Sequence, residues 1–148
     1  MSKTPESYFG RDGAHLCTGD EKWSWKSKDF QQIIVVDEVA GKIVGNVQLH
    51  FFEINGKTAV LARINPTEAF MDGVDIEHLA KEYIKMVKEF ANMNGVDEVY
   101  LPEQTGWHQL TNRDKLCPYL QKFYGTGRIK KSIQITGKHW VEGIYRCK

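Results

Sequence analysis

The chain has 148 residues, 41% hydrophobic and 26% charged, with a formal net charge of +1. These are ordinary proportions for one domain with a single core, and a charge so near zero names no partner through whole-chain electrostatics. The odd, widely spaced cysteines Cys17, Cys117 and Cys147, with no Cys-x-x-Cys pair, argue against a disulfide framework or a metal site.

Residues 1–31 read as an irregular, polar N-terminal segment, in which Trp23 and Trp25 alternate with polar residues as in a short extended piece. Three apolar, β-branched runs follow between Ile33 and Asn65. They are joined by the turns Ala40-Gly41-Lys42 and Asn55-Gly56-Lys57. Asn-Gly suits a type I′ turn, which needs positive φ at both central residues, so a three-stranded antiparallel meander is expected. Pro66 cannot donate to a strand ladder and should end the third strand.

After a loop over 66–74, Ile76, Leu79, Ala80, Tyr83, Ile84, Val87, Phe90 and Ala91 recur at helical spacing. That predicts a helix over about 75–93, capped by Asp72 or Asp75 and stopped at Asn94-Gly95. Val96–Leu101 reads as a strand reached by a crossover connection. A loop over 102–113 leads to a second helix at about 115–124, with Asp114 as its cap and Pro118 in its first turn. Ile129–Ile135 and Trp140–Tyr145 read as a last hairpin turning at Thr136-Gly137-Lys138. The order β-β-β-α-β-α-β-β implies an α+β fold with a mixed, mainly antiparallel sheet and helices packed on it.

Three pieces of the chain resemble the GCN5-related N-acetyltransferase (GNAT) superfamily. VVDEVAGKIVGNVQL (35–49) resembles that family's second and third strands with their glycine turn. NRDKLCPYLQKFYG (112–125) resembles its stretch of an asparagine, a tyrosine and a glycine-bearing end. The element order over 32–148 resembles its domain. The resemblance implies acetyl-coenzyme A as cofactor, held around Arg63, Ile64, Asn65, Gly73 and Asn112, with transfer of the acyl group to an amine. It also implies that a tyrosine, Tyr119 or Tyr124, protonates the departing thiolate.

The chain departs from the family's pattern in two places. The family's pyrophosphate loop is basic and glycine-rich, whereas Asn65–Gly73 has Glu68, Asp72, a single glycine and no Lys or Arg. Residues 1–31 show no counterpart of the family's first strand and helices.

Each candidate also has a plainer role. Arg63 could neutralise a phosphate or pair with Glu68 or Asp72. Tyr119 and Tyr124 could simply pack their helix on the sheet. Glu53 could be a base toward an amine or a solvent-facing strand residue, and His50 should point to the opposite face from it. His108 with Cys117 is a weak thiol pair, and His15-x-Cys17 has no second ligand pair downstream.

The charges are segregated. Pro66–Gln104 carries nine acidic residues against three lysines, and Arg128–Lys148 carries six basic residues against one glutamate. Arg128, Lys130, Lys131, Lys138 and Arg146, with Trp140 and Tyr145, could track a nucleic-acid backbone or form the solvated face of a hairpin. Two functions therefore stand side by side: acyl transfer from acyl-coenzyme A to a small-molecule or protein amine, and a non-catalytic module on the same fold that binds protein or nucleic acid. A homodimer that completes the N-terminal elements is a further expectation. So is a cytoplasmic, non-membrane location, since no signal-like or membrane-length apolar run is visible.

Overall fold

The computed structural model describes residues 29–103, 112, 114–134 and 140–148. The strands are β1 (Phe30–Asp37), β2 (Lys42–Ile54), β3 (Lys57–Pro66), β4 (Glu98–Pro102), β5 (Arg128–Gln134) and β6 (Trp140–Arg146). The helices are α1 (Glu68–Met71), α2 (Ile76–Met93) and α3 (Cys117–Tyr124), the last flanked by 3-10 turns at Asp114–Leu116 and Gly125–Gly127. All six strands form one sheet in the order β1-β2-β3-β4-β6-β5. The α+β class and the mixed, mainly antiparallel sheet are as expected. The paired Trp23 and Trp25, the His15–Cys17 and His108 sites and the turn at 136–138 lie outside the described residues.

The meander forms where its turns require it. Asn55 and Gly56 both take positive φ, 51° and 74°, and Gly41 does so at 65°. Asp37 accepts from the N–H groups of Val39 and Ala40 through Oδ1, fixing the first turn. β3 ends at Pro66, as its missing N–H demands.

Strand alternation then sorts the side chains. Val47 and Leu49 of β2 share a face with Ala62, Ile64 and Val60 of β3 and Val99 and Leu101 of β4. Helix α2 lays Leu79, Ala80, Tyr83, Ile84, Val87 and Ala91 on that face, and Leu116 and Leu120 join it from the start of α3. The apolar stripe of α2 follows its 3.6-residue period. Asp75 caps it by accepting from His78 N–H (3.2 Å), and Gly95 in the left-handed region follows its end. Of the two expected caps, Asp75 serves. The described helices all pack on this one face; the opposite face holds a second apolar cluster of Ile54, Ala59, Leu61, Tyr100, Val141 and Ile144.

Asp114 does not cap α3. It opens the 3-10 turn, and α3 begins after Leu116 with no side-chain cap and with Pro118 in its first turn. Proline pre-sets φ and needs no donor there, so the helix starts without a carboxylate. β6 inserts between β4 and β5, pairing Leu101 with Tyr145 and Ile129 with Ile144.

Where β4 begins, Glu98 is buried yet ionised. Tyr100 OH donates to it, Arg146 Nη2 lies at 3.3 Å and Lys57 Nζ at 3.5 Å. The tyrosine hydrogen bond first, then the two cations, hold its carboxyl below its ordinary value of 4.5, against the opposing effect of burial. A depressed folded pKa gives stability that is complete above the unfolded value and lost as pH falls through the folded one. Glu98→Gln is therefore expected to lower Tm at neutral pH and to flatten the acid limb of a Tm profile taken from neutrality down to about pH 3. Parallel acid limbs for the two proteins would show that Glu98 carries none of the dependence.

Candidate functional site

β3 and β4 are parallel, and they pair only through Ala59–Glu98, Val60–Val99 and Leu61–Tyr100. Beyond Leu61 and Tyr100 the ladder stops, and the side chain of Asn112 spans the two strands. Its Oδ1 accepts from Ile64 N–H at 2.8 Å and its Nδ2 donates to Pro102 C=O at 3.1 Å. Asn112 is 2% exposed. A single carboxamide thus supplies the donor and the acceptor that a neighbouring strand would have supplied. Ile64 and Asn112, both expected at a cofactor, are brought together and bonded to each other.

Next to this bridge, at the carboxyl end of β4, lies an open cavity of about 240 Å³ lined by Pro102, Glu103, Asp114, Cys117, Pro118, Leu120, Gln121 and Tyr145. The carboxyl end of parallel strands is where open α/β sheets receive ligands. Cys117 faces this cavity half-buried, and its thiol points to Asn112 C=O (3.9 Å). Burial, reinforced by the charge of Asp114, pushes the thiol up to about 11. That shift disfavours the thiolate, which is the nucleophile, at neutral pH. His108, the other member of the expected pair, lies outside the described residues.

The segment after β3 uses several of its backbone donors on itself. Phe70 N–H is taken by Thr67 Oγ1 and Met71 N–H by Thr67 C=O. Asp72 N–H goes to Glu68 C=O, Val74 N–H to Met71 C=O, and Leu79 N–H to Asp75 C=O. With His78 N–H on the Asp75 carboxylate, the start of α2 already holds an anion of its own. Glu68 and Asp72 are exposed and face Lys115 at 3.1 and 3.6 Å, so the acidic loop carries its own cation. Gly73 is exposed with open space around it. Arg63 turns to the other face of the sheet and donates to Gln48 Oε1 at 3.1 Å.

The remaining expected residues lie apart. Tyr124 sits at the end of α3, where Lys88 Nζ donates to its hydroxyl (3.4 Å) and covers its ring (5.3 Å to the centroid). It ties α3 to α2. Tyr119 packs half-buried on the helical side of the core. Glu53 is exposed beside a shallow cavity with Asp29, Phe51, Phe52 and Thr58. It is opposite Thr58 in β3, five positions before Arg63, or roughly 16 Å along the strand. Glu53 and the Arg63–Asn65 group therefore belong to different ends of the sheet. His50 does occupy the face opposite Glu53, against Phe30 at 5.1 Å between ring centroids.

Much of the basic C-terminal strip is occupied. Arg128 Nε pairs with Glu103 at 2.8 Å, Arg146 Nη2 with Glu98, and Lys148 Nζ donates to Val96 C=O at 2.8 Å. Lys130 is exposed; the side chains of Lys131, Lys138 and Trp140 lie outside the described residues.

The residues that sequence reasoning missed lie on the face away from the helices. Gln32, Asn46, Gln48 and His50 are 0% exposed and Asn65 is 5% exposed. They come together because register pairs Gln32 with Gln48, Gln48 with Arg63, and Asn46 with Asn65. Asn46 Nδ2 donates to Gln32 Oε1 at 2.9 Å. The signal was present in β2, where Asn46-x-Gln48-x-His50 alternates with Val47-x-Leu49-x-Phe51. Among the described residues, Asn46 Oδ1, Gln48 Nε2 and Asn65 Nδ2 are buried without a hydrogen-bond partner. Such atoms are uncommon in folded proteins and each calls for a cause.

Among the described residues no helix is long and apolar enough to cross a membrane, and no group of three His, Cys, Asp or Glu side chains could hold a metal ion. Comparison with known protein families finds no family model that matches this chain, and comparison with curated proteins finds no match either.

Proposed function

We propose that the protein acts by binding rather than by group transfer: a non-catalytic module on an acetyltransferase-like scaffold. The observation that carries this reading is the negative charge already placed where the chain enters α2: Asp75 caps the helix, and Glu68 and Asp72 stand exposed in the segment before it. A pyrophosphate is gripped by N–H groups left free at a helix start. Here Phe70 N–H is taken by Thr67 Oγ1 and His78 N–H by Asp75, whose carboxylate already supplies a negative charge at the start of α2. The separation of Glu53 from Arg63 and Asn65 along the strands supports the same reading, since acyl transfer depends on positioning reacting groups together.

A second reading, transfer of an acyl group from acetyl-coenzyme A to an amine, draws support from the parallel pair β3–β4 that parts after Leu61 and Tyr100, beside a cavity at the end of β4. Thermal unfolding with and without acetyl-coenzyme A separates the two. A ligand at about a hundredfold excess over its dissociation constant stabilises by roughly 2.7 kcal/mol, a rise of about 5–10 °C for a chain of this size. No rise and no heat of binding at millimolar coenzyme are expected. A saturable rise of that order, with heat, would return the acyl-transfer reading to first place.

A further inference from the structure

β6 is an inner strand, between β4 and β5, yet it carries a glycine at position 143. Glycine weakens the interior of a strand and often marks a place where another group comes close. Here that group is the side chain of Glu103. A Cβ on Gly143 would overlap Glu103 Oε2 and press on its Cδ and Cβ at 3.1 and 3.2 Å. Glu103 N–H donates to Gly143 C=O at 2.8 Å, and Arg128 Nε donates to Glu103 Oε2 at 2.8 Å. The sheet thus seats one carboxylate, with its Oε2 fixed, in the wall of the cavity at the end of β4.

Tyr145 stands two residues along β6 from Gly143, and so on the same face of the sheet. It is 6% exposed and lines the same cavity, and among the described residues its hydroxyl has no hydrogen-bond partner. A phenol both donates and accepts, whereas an ionised carboxylate only accepts. Asp114 adds a second carboxylate to the lining. The potential inside is negative. Burial first, then the carboxylate of Glu103, raise the Tyr145 phenol, and Arg128 opposes them less strongly. Asp114 likewise adds to burial in raising the Cys117 thiol. The volume of about 240 Å³ equals roughly eight water molecules at about 30 Å³ each, so an occupant is small. Glu103, Asp114 and Cys117 do not form a group that could hold a metal ion, which leaves an organic cation.

We infer that this cavity binds a small aliphatic primary ammonium ion, with its N–H groups on Glu103 and Tyr145 and its short carbon chain along Pro102, Pro118 and Leu120. An ammonium brings three donors to these acceptors, and charge-assisted bonds of this kind are the strong ones. Such a site gives the binding-module reading its ligand class. It shares no residue with the segment before α2 on which that reading rests, so either can fail alone.

Propylammonium chloride is the probe, with propan-1-ol and tetramethylammonium chloride as controls and sodium chloride balancing the ionic strength. The readout is the backbone N–H signals of Glu103, Cys117 and Tyr145 in nitrogen–proton correlation spectra of the full chain. Propylammonium should shift them saturably, in the millimolar range usual for so small a ligand. Propanol lacks the charge and tetramethylammonium lacks N–H donors, so neither should shift them. Glu103→Gln and Tyr145→Phe should each weaken binding by about tenfold or more. Gly143→Ala keeps every residue that lines the cavity but displaces Glu103, and should weaken it too. The atoms nearest its Cβ all belong to that flexible side chain, so the strand itself stays in place. No response to propylammonium, or an equal response to either control, would overturn the inference. So would a response unchanged by Glu103→Gln and Gly143→Ala, which would put the amine elsewhere.

Discussion

Replacing Gly45 by alanine is expected to destabilise the protein by about 3 kcal/mol or more, at the upper end of what overpacking a core costs. A Cβ at this position would stand 2.5 Å from the hydroxyl of Tyr83, 2.8 Å from Asn65 C=O and 2.8 Å from Pro66 Cα. The last two are backbone atoms of the neighbouring strand, where Gly45 is paired with Pro66, and they cannot move without parting β2 from β3. The first belongs to α2, whose tyrosine reaches the sheet at the one residue of β2 that has no side chain. Tyr83→Phe removes that hydroxyl. Alone it is expected to be neutral or mildly stabilising, because the hydroxyl is buried with no hydrogen-bond partner among the described residues. Combined with Gly45→Ala it should restore only part of the loss, since both backbone contacts remain. Denaturant unfolding of the four proteins measures this. Full restoration would mean that the strands yield more readily than their pairing implies.

Asn112 gives the second large effect. Asn112→Ala would leave Ile64 N–H and Pro102 C=O buried without partners, at about 1–3 kcal/mol for each group. A total loss of about 2–6 kcal/mol is expected, or a fall in Tm on the order of 5–20 °C. Asn112→Asp distinguishes the two bonds. An ionised carboxylate still accepts from Ile64 N–H but sets a negative oxygen against Pro102 C=O, whereas the protonated acid can donate to that carbonyl. Burial raises a carboxyl pKa. Asn112→Asp should therefore be strongly destabilised at neutral pH and regain stability relative to the parent as pH falls. A Tm difference independent of pH would mean that the bond to Pro102 contributes little.

The parts of the fold that were legible in the sequence are those governed by short-range chemistry. Asn55-Gly56 and Gly41 fixed the turns through positive φ, Pro66 ended β3, and the apolar spacing of α2 placed that helix to within a residue. What was not legible depends on partners distant in sequence. The insertion of β6 between β4 and β5 is one such feature, since the last hairpin could have met the sheet by either strand. The start of α3 is another: Asp114 has the chemistry of a cap, but the chain enters through a 3-10 turn and Pro118 makes a cap unnecessary. The excess of basic residues after Arg128 was countable, yet their pairing with Glu98 and Glu103 required the sheet.

The candidate site divides in the same way. Asn112, Ile64, Asn65 and Arg63 were singled out from the sequence, and they do lie around the parting of β3 and β4. Their orientations differ, because successive residues of a strand point to opposite faces. Ile64 faces the helices, while Arg63 and Asn65 join the polar strip with Asn46 and Gln48. The strip itself was visible as an alternation in β2, but alternation does not say that the polar side is the buried one. Burial is a property of the assembled sheet, and it turns three ordinary carboxamides into unsatisfied groups.

The most direct test of the central claim follows the backbone N–H signals of Ile64 and residues 67–79 in nitrogen–proton correlation spectra during titration with acetyl-coenzyme A. These signals are expected to stay in place through millimolar coenzyme, because Asn112, Thr67 and Asp75 already hold the donors of Ile64, Phe70 and His78 and the carboxylates of the segment repel a pyrophosphate. A saturable shift of Ile64 together with Phe70, Met71 and His78 would contradict it, showing that the coenzyme displaces those internal partners and that the scaffold still binds for acyl transfer.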